Sequence, residues 1–258
     1  ATQKALARFD VVKAKKDTLA PNTYIQPVYS KGRQQQTDGP DESPRLDAAG
    51  TKHIQSLIGC FQYIGRCVDS TMLVKLGQLA SQQSRATQQT LEEANLFLQY
   101  VATWPSATVT IRPCDMILKI HSDASYLSEP DAGSRIGGYF YLGNKGDDDP
   151  TPNGAILVLS VRLDVVVSSV AEAEYGGCFH NAREGEPLRR TLEDLGYPQP
   201  ATVITTDNKC AENLANNTCK QKRSKATDMR YHWIRDRIRQ GHYVVRWEPG
   251  RDNLADFF

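Results

Sequence analysis

The stretch Lys119-Ile120-His121-Ser122-Asp123-Ala124-Ser125-Tyr126 constrains this chain more than any other. Alternating apolar residues from Met116 to Ile120 predict a strand. It ends in an acid followed by small, polar, turn-forming residues. A carboxylate at the end of a core strand is costly unless water, hydrogen bonds or a metal compensate it. Alone, such an aspartate is more often a cap or a turn residue. Here more acids follow in order. Ala171-Glu172-Ala173-Glu174-Tyr175 sets an acidic pair on a helix, Val203-Ile204-Thr205-Thr206-Asp207-Asn208 is a second strand ending in Asp, and Leu254-Ala255-Asp256 carries a last Asp. Carboxylates converging from two strand ends and two helices are what a pair of hard cations requires.

The 258 residues suit one large or two small domains. The charge is uneven. Residues 209–251 hold eleven Lys or Arg against four Asp or Glu, a net +7 in a chain of total +1, so the remainder carries −6. A basic segment beside a carboxylate cluster suits a nucleic-acid enzyme, and it equally suits a solvated face. Cys60, Cys67, Cys114, Cys178, Cys210 and Cys219 form no Cys-x-x-Cys pair and keep no zinc spacing with histidine. They read as free, mostly buried thiols of an intracellular protein. No apolar run approaches membrane-spanning length and no signal peptide is visible. The chain begins without Met and stops after Phe258, as a piece of something longer would.

Residues 1–30 are mixed, and 31–52 are polar and rich in Gly, Pro, Asp and Gln, a linker or loop. Helical spacing then sets Ile54, Leu57, Ile58, Phe61 and Ile64 on one face. Met72, Leu76 and Leu79 repeat it, as do Leu91, Ala94, Leu98 and Val101, before Trp104-Pro105 ends the helical run. From 115 strands are predicted over 116–122, 135–142, 155–161, 202–206 and 243–247. Gly137-Gly138 in the second suggests a bulge or a close backbone approach. A helix capped by Ser168 or Ser169 runs to about Leu195, where Gly196 and Pro198 end it. Shorter helices are predicted over 208–216 and 227–240, and a last one from Asn253. Trp233 and Trp247 read as core, Asp131 and Asp252 as turn residues, and Asp147-Asp148-Asp149 as a solvated loop. Three consecutive strands suggest a meander, and later helix–strand units add parallel neighbours. The expected fold is α/β: a mixed five-stranded sheet flanked by helices.

At these residues the sequence resembles the ribonuclease H domain of copia-type (Pseudoviridae) retrotransposon polyproteins. The blocks that carry the resemblance are Ser122-Asp123-Ala124-Ser125, residues 137–143, Ala171-Glu172-Ala173-Glu174-Tyr175, Thr206-Asp207-Asn208, residues 228–235 and Asn253-Leu254-Ala255-Asp256. Upstream, Gln55-Ser56-Leu57-Ile58-Gly59 with Tyr63-Ile64 is similar to the segment joining reverse transcriptase to ribonuclease H. The resemblance therefore divides the chain into the end of a polymerase region with a polar linker (1–52), a small helical connection segment (53–112) and a ribonuclease H-like domain (113–258). No Tyr-x-Asp-Asp polymerase motif occurs. Ala226 stands where many relatives have His.

The resemblance implies Mg²⁺-dependent hydrolysis of the RNA strand of an RNA–DNA hybrid by two ions, for which Mn²⁺ can substitute. Its partners are the hybrid and the upstream reverse transcriptase domain, with no membrane, and its setting is the cytoplasm, within virus-like particles. Asp123 is assigned to bridge both ions, Glu174 and Asp207 to hold the ion near the leaving group, and Asp256 to hold the ion carrying the attacking water. Glu172 and Glu174 lie about 200° apart on a helix, so one of them faces the site. The family pattern selects Glu174 and leaves Glu172 as a solvent-facing or capping acid. Ser122, Ser125 and Asn208 read either as contacts to the hybrid backbone and 2′-hydroxyls or as turn and cap hydrogen bonds. Lys220, Lys222, Arg223 and Lys225 are candidate phosphate contacts. The alternative is a weak or inactive module that grips nucleic acid without cutting. Integrase and transposase relatives order their acids Asp, Asp, Glu, and the order here is Asp, Glu, Asp, Asp.

Overall fold

The computed structural model describes residues 1–22, 41–129, 133–146, 152–216 and 232–258. The chain forms two compact units, Ala1–Val109 and Thr110–Phe258. The first holds α1 (Thr2–Arg8), α2 (Ala48–Cys67), α3 (Leu73–Gln82) and α4 (Gln88–Thr103). The predicted stripe of α2 is buried, and it joins Leu76 and Leu79 of α3 and Ala94, Phe97 and Val101 of α4 in one core. Phe61 and Phe97 meet edge to face at 5.4 Å. Asp47 caps α2 by accepting from the Gly50 amide at 2.7 Å. The helix thus begins at Ala48, inside the stretch read as linker.

The second unit holds β1 (Ile117–Glu129), β2 (Gly133–Gly143), β3 (Ala155–Arg162), α5 (Val170–Asp194), β4 (Thr202–Thr206), α6 (Lys209–Ala215), α7 (His232–Arg239) and β5 (Tyr243–Trp247). The strand order is β3-β2-β1-β4-β5. The first three strands pair antiparallel, and β1–β4 and β4–β5 pair parallel. This is the expected mixed five-stranded sheet. Leu118, Ile120, Phe140, Ile204 and Val245 of the sheet share a core with Tyr175, Cys178, Phe179 and Ala182 of α5. Gly177 lets that helix lie close on β1. A Cβ there would meet the Asp123 carbonyl and the Ser122 hydroxyl at 3.3 Å.

Several expectations are corrected. β1 does not end at Asp123. It pairs with β2 on through Ser125 and Glu129, while its pairing with β4 stops at His121. Asp123 therefore sits where β1 has lost one neighbour, not where the strand ends. The last residues form no helix: a 3₁₀ turn at Gly250–Asp252 is followed by turn. Asn253, the expected helix start, spends its side chain across the fold on Ser122 instead. Among the described cysteines only Cys178 is buried, because Cys67 and Cys210 fall at helix ends that face solvent. Cys219, Asp131 and Asp147-Asp148-Asp149 lie outside the described residues. Among the described residues no helix is long and apolar enough to cross a membrane.

Candidate metal centre

Asp123 of β1, Glu174 of α5 and Asp207, the residue after β4, each offer a carboxylate oxygen, and these oxygens lie within 4.8 Å of one another. The sequence reasons are local. Ser169 caps α5 by accepting from the Glu172 amide at 3.2 Å. Glu172 in turn accepts from the Ser168 amide at 2.8 Å and its hydroxyl at 2.7 Å, just before the cap. That cap fixes the helix rotation, turning Glu174 toward β1 and leaving Glu172 as the buried capping acid. Asp207 is framed by two close approaches. Gly250 leaves room beneath its carboxylate, where a Cβ would lie 2.8 Å from Oδ2. The Trp247 indole N–H donates to its main-chain carbonyl at 2.8 Å.

Electrostatics mark the cluster. Burial and then the Asp207 and Asp256 charges push the Asp123 carboxyl up to about 7. Burial, Asp123 and Asp207 push Glu174 up to about 9. Asp207 is raised by burial and by Asp256. The backbone at Ala124 pulls both Asp123 and Glu174 the other way. Glu174 Oε2 is buried with no hydrogen-bond partner among the described residues. A buried, orphaned carboxylate oxygen among like charges fits a divalent cation, which would supply the missing counter-charge. Asp256 is exposed on the last turn. Its charge acts on all three acids, but its oxygens stand outside the triad's 4.8 Å circle.

The remaining candidates divide. Ser122 is fully buried, and its hydroxyl accepts from Asn181 Nδ2 at 2.9 Å. Of its two readings, the burial and this hydrogen bond support the structural one. Asn208 caps α6, its Oδ1 accepting from the Cys210 and Ala211 amides at 3.0 and 3.1 Å. Half-buried Ser125 shares a hydrogen bond with Ser128 and accepts from the Arg135 amide at 3.3 Å. Lys220, Lys222, Arg223, Lys225 and Ala226 lie outside the described residues. Trp233 packs edge on against Phe179 at 5.8 Å. Trp247, read as core, is 43% exposed beside Asp207, with the Lys209 ammonium 5.5 Å from its ring centre. Sequence reasoning missed Asn181, His121 and Asn253, whose partners are distant in the chain. The Gly137-Gly138 pair was its one signal. A Cβ on Gly138 would lie 2.0 Å from Asn181 Oδ1.

No family model matches the chain. Over 201 residues, 78% of its length, it is 26% identical to the retrovirus-related Pol polyprotein from transposon TNT 1-94 of Nicotiana tabacum, of which it spans 14%. Over 224 residues, 83% of its length, it is 26% identical to the corresponding polyprotein from transposon RE1 of Arabidopsis thaliana, again spanning 14%. Among solved structures it is similar to the foamy viral protease-reverse transcriptase in complex with RNA/DNA hybrid (TM-score 0.45, 15% identity, 83% of this chain and 26% of that one). It is also similar to an N-terminal RNase H domain from Mycobacterium tuberculosis (TM-score 0.40, 15% identity, 55% of this chain and 88% of that one). Across most of its length, then, the chain is similar to the retrovirus-related Pol polyproteins of plant transposons, of which it spans 14–15%.

Proposed function

We propose that the second unit is a Mg²⁺-dependent endonuclease that hydrolyses the RNA strand of RNA–DNA hybrids during reverse transcription. The observation that carries this reading is the Asp123–Glu174–Asp207 cluster, with its raised carboxyls and orphaned Glu174 oxygen. Three carboxylates forced together without a compensating cation destabilise the fold, and such an arrangement is retained where it does chemistry.

Asp123, Glu174 and Asp207, with Asp256 beside them, would hold two ions, and Mn²⁺ can replace Mg²⁺. A bound pair of such ions supplies a water of lowered pKa and Lewis-acid stabilisation of the leaving 3′ oxygen. The chain's own residues prepare that place. Asn181 holds β1 to β2 behind the carboxylates, donating to the Ser122 hydroxyl and the Gly137 carbonyl at 2.9 Å each. Lys209 and Trp247 form a basic and aromatic rim beside Asp207, suited to a sugar–phosphate backbone. The partners are the hybrid and the reverse transcriptase domain of the same polyprotein, and the setting is the cytoplasm, within virus-like particles.

The test is cleavage of a hybrid labelled on its RNA strand, with Mg²⁺ and with EDTA. RNA-strand cuts that need the metal support the reading. Tight, metal-independent binding without any cut would replace it with a binding module.

A further inference from the structure

Asp256 reaches the site on a segment that is neither helix nor strand. What holds that segment is side chains. Asn253, 6% exposed, donates through Nδ2 to the Ser122 carbonyl at 3.0 Å and accepts from the Ala255 amide at 3.1 Å. The Leu254 amide donates to His121 Nδ1 at 3.1 Å. His121 is itself buried in β1, two residues before Asp123. Opposite Asp123 on β2 stands Gly137, where a Cβ would lie 2.4 Å from the Ala255 carbonyl oxygen. Beyond Asp256, the Ser160 hydroxyl of β3 donates to the Phe258 carbonyl at 3.2 Å. The segment thus lies across β1, β2 and β3 and is pinned on both sides of Asp256.

An Nδ1 that accepts a main-chain N–H carries no proton, so the ring is neutral with its hydrogen on Nε2. It meets an amide that lies in no helix or sheet ladder. Removing the acceptor would leave a part-buried N–H unpaired and the segment free to lift. Asn253 acts from the other side, bonding both β1 and its own segment.

We propose that His121 and Asn253 are positioning residues for Asp256: they fix the terminal segment in the register that presents the fourth carboxylate to Asp123 and Asp207. This rests on the metal reading of the site and adds to it the two groups that complete the ligand set without touching the cation. Partners of this kind around metal ligands typically change metal affinity 10- to 100-fold when removed.

The experiment compares wild type with His121→Phe, which keeps a ring and loses the acceptor, His121→Asn, whose Oδ1 can stand near the place of Nδ1, and Asn253→Ala. Exchange of the Leu254 amide in metal-free protein reads the tether, and Mn²⁺ titration reads the site. His121→Phe and Asn253→Ala are expected to speed Leu254 exchange at least about tenfold and to weaken Mn²⁺ binding about 10-fold or more. His121→Asn is expected to restore most of both. In an Asp256→Asn background His121→Phe should weaken Mn²⁺ no further, since its effect passes through Asp256. Faster exchange with unchanged Mn²⁺ affinity, or an undiminished effect in the Asp256→Asn background, overturns the proposal. If His121→Phe does not fold, Asn253→Ala carries the same contrast. Failure of the metal reading looks different: wild type with a protected Leu254 amide that binds no Mn²⁺ removes the site, and the role of the tether with it.

Discussion

The indole N–H of Trp247 donates to the main-chain carbonyl of Asp207 at 2.8 Å, tying the end of β5 to the acid that follows β4. Trp247→Phe keeps the ring and removes the donor. A net hydrogen bond at a partly exposed place contributes about 1 kcal/mol or less. The expected result is a stability loss of that size in a urea titration and a several-fold rise in the Mg²⁺ concentration giving half-maximal cleavage. An unchanged Mg²⁺ requirement would mean that β4 holds Asp207 unaided.

Asp123→Asn and Glu174→Gln are each expected to leave under a few per cent of hybrid cleavage while the far-ultraviolet dichroism stays native. Neither removal opens a cavity, and both relieve repulsion, so the metal-free variants should melt at or above the wild-type temperature. Glu172→Gln is the contrast. It weakens the cap on the Ser168 amide and hydroxyl, so about 1 kcal/mol of stability should go while most cleavage remains. Loss of cleavage in Glu172→Gln with retention in Glu174→Gln would put the wrong acid in the site.

The carboxyls of Asp123 and Glu174 titrate near 7 and 9 in the folded protein against ordinary values of 3.8 and 4.5. Between those limits the folded chain keeps protons that the unfolded chain has released. The stability these groups contribute is complete below about pH 4 and is lost as pH rises through 7 and 9. Metal-free protein should therefore melt lower at pH 9 than at pH 6, and Glu174→Gln should flatten that fall. Adding Mg²⁺ at pH 8 should recover melting temperature in wild type and not in the variant.

The segment 209–251 carries +7, and Lys222, Arg223 and Lys225 fall in its part outside the described residues. Changing the three to Gln should weaken hybrid binding and flatten its salt dependence, by a log–log slope of roughly 0.7–0.9 per lost phosphate contact. Cleavage at saturating hybrid should change little, because the acids are untouched. An unchanged slope would make the charges a solubility feature alone.

The sheet was legible where side chains alternate against a core. β4 and β5 match their predicted bounds, and Ser169 and Gly196 mark the ends of α5. β1 was read too short for a physical reason. Its apolar alternation stops where the α5 core stops, while its hydrogen bonds to β2 continue through Ser125 and Glu129. Trp247 shares the parity of buried Tyr243 and Val245, so pattern alone puts it inside. At the strand end it stands 43% exposed, with the Lys209 ammonium beside its ring. The acids of the site were legible as types in an order. The groups that hold them were not: His121 and Leu254 stand 133 residues apart, and no local spacing announces such a bond.

The two halves of the sheet close over very different stretches of chain. β2 follows β1 directly, whereas β1 meets β4 by pairing Lys119, Ile120 and His121 with Val203, Ile204 and Thr205, after β2, β3 and α5 have been laid down. Loop-closure entropy rises with separation, and pairings remote in sequence form late. Refolding should therefore protect the amides of β1 and β2 before those of β4 in pulse-labelled exchange. Asp123 is in place early, and Asp207 arrives with the slow half. The repulsion among the acids is then met only at the final step of folding, when a cation can already be captured. Divalent metal should accordingly slow unfolding far more than it speeds folding.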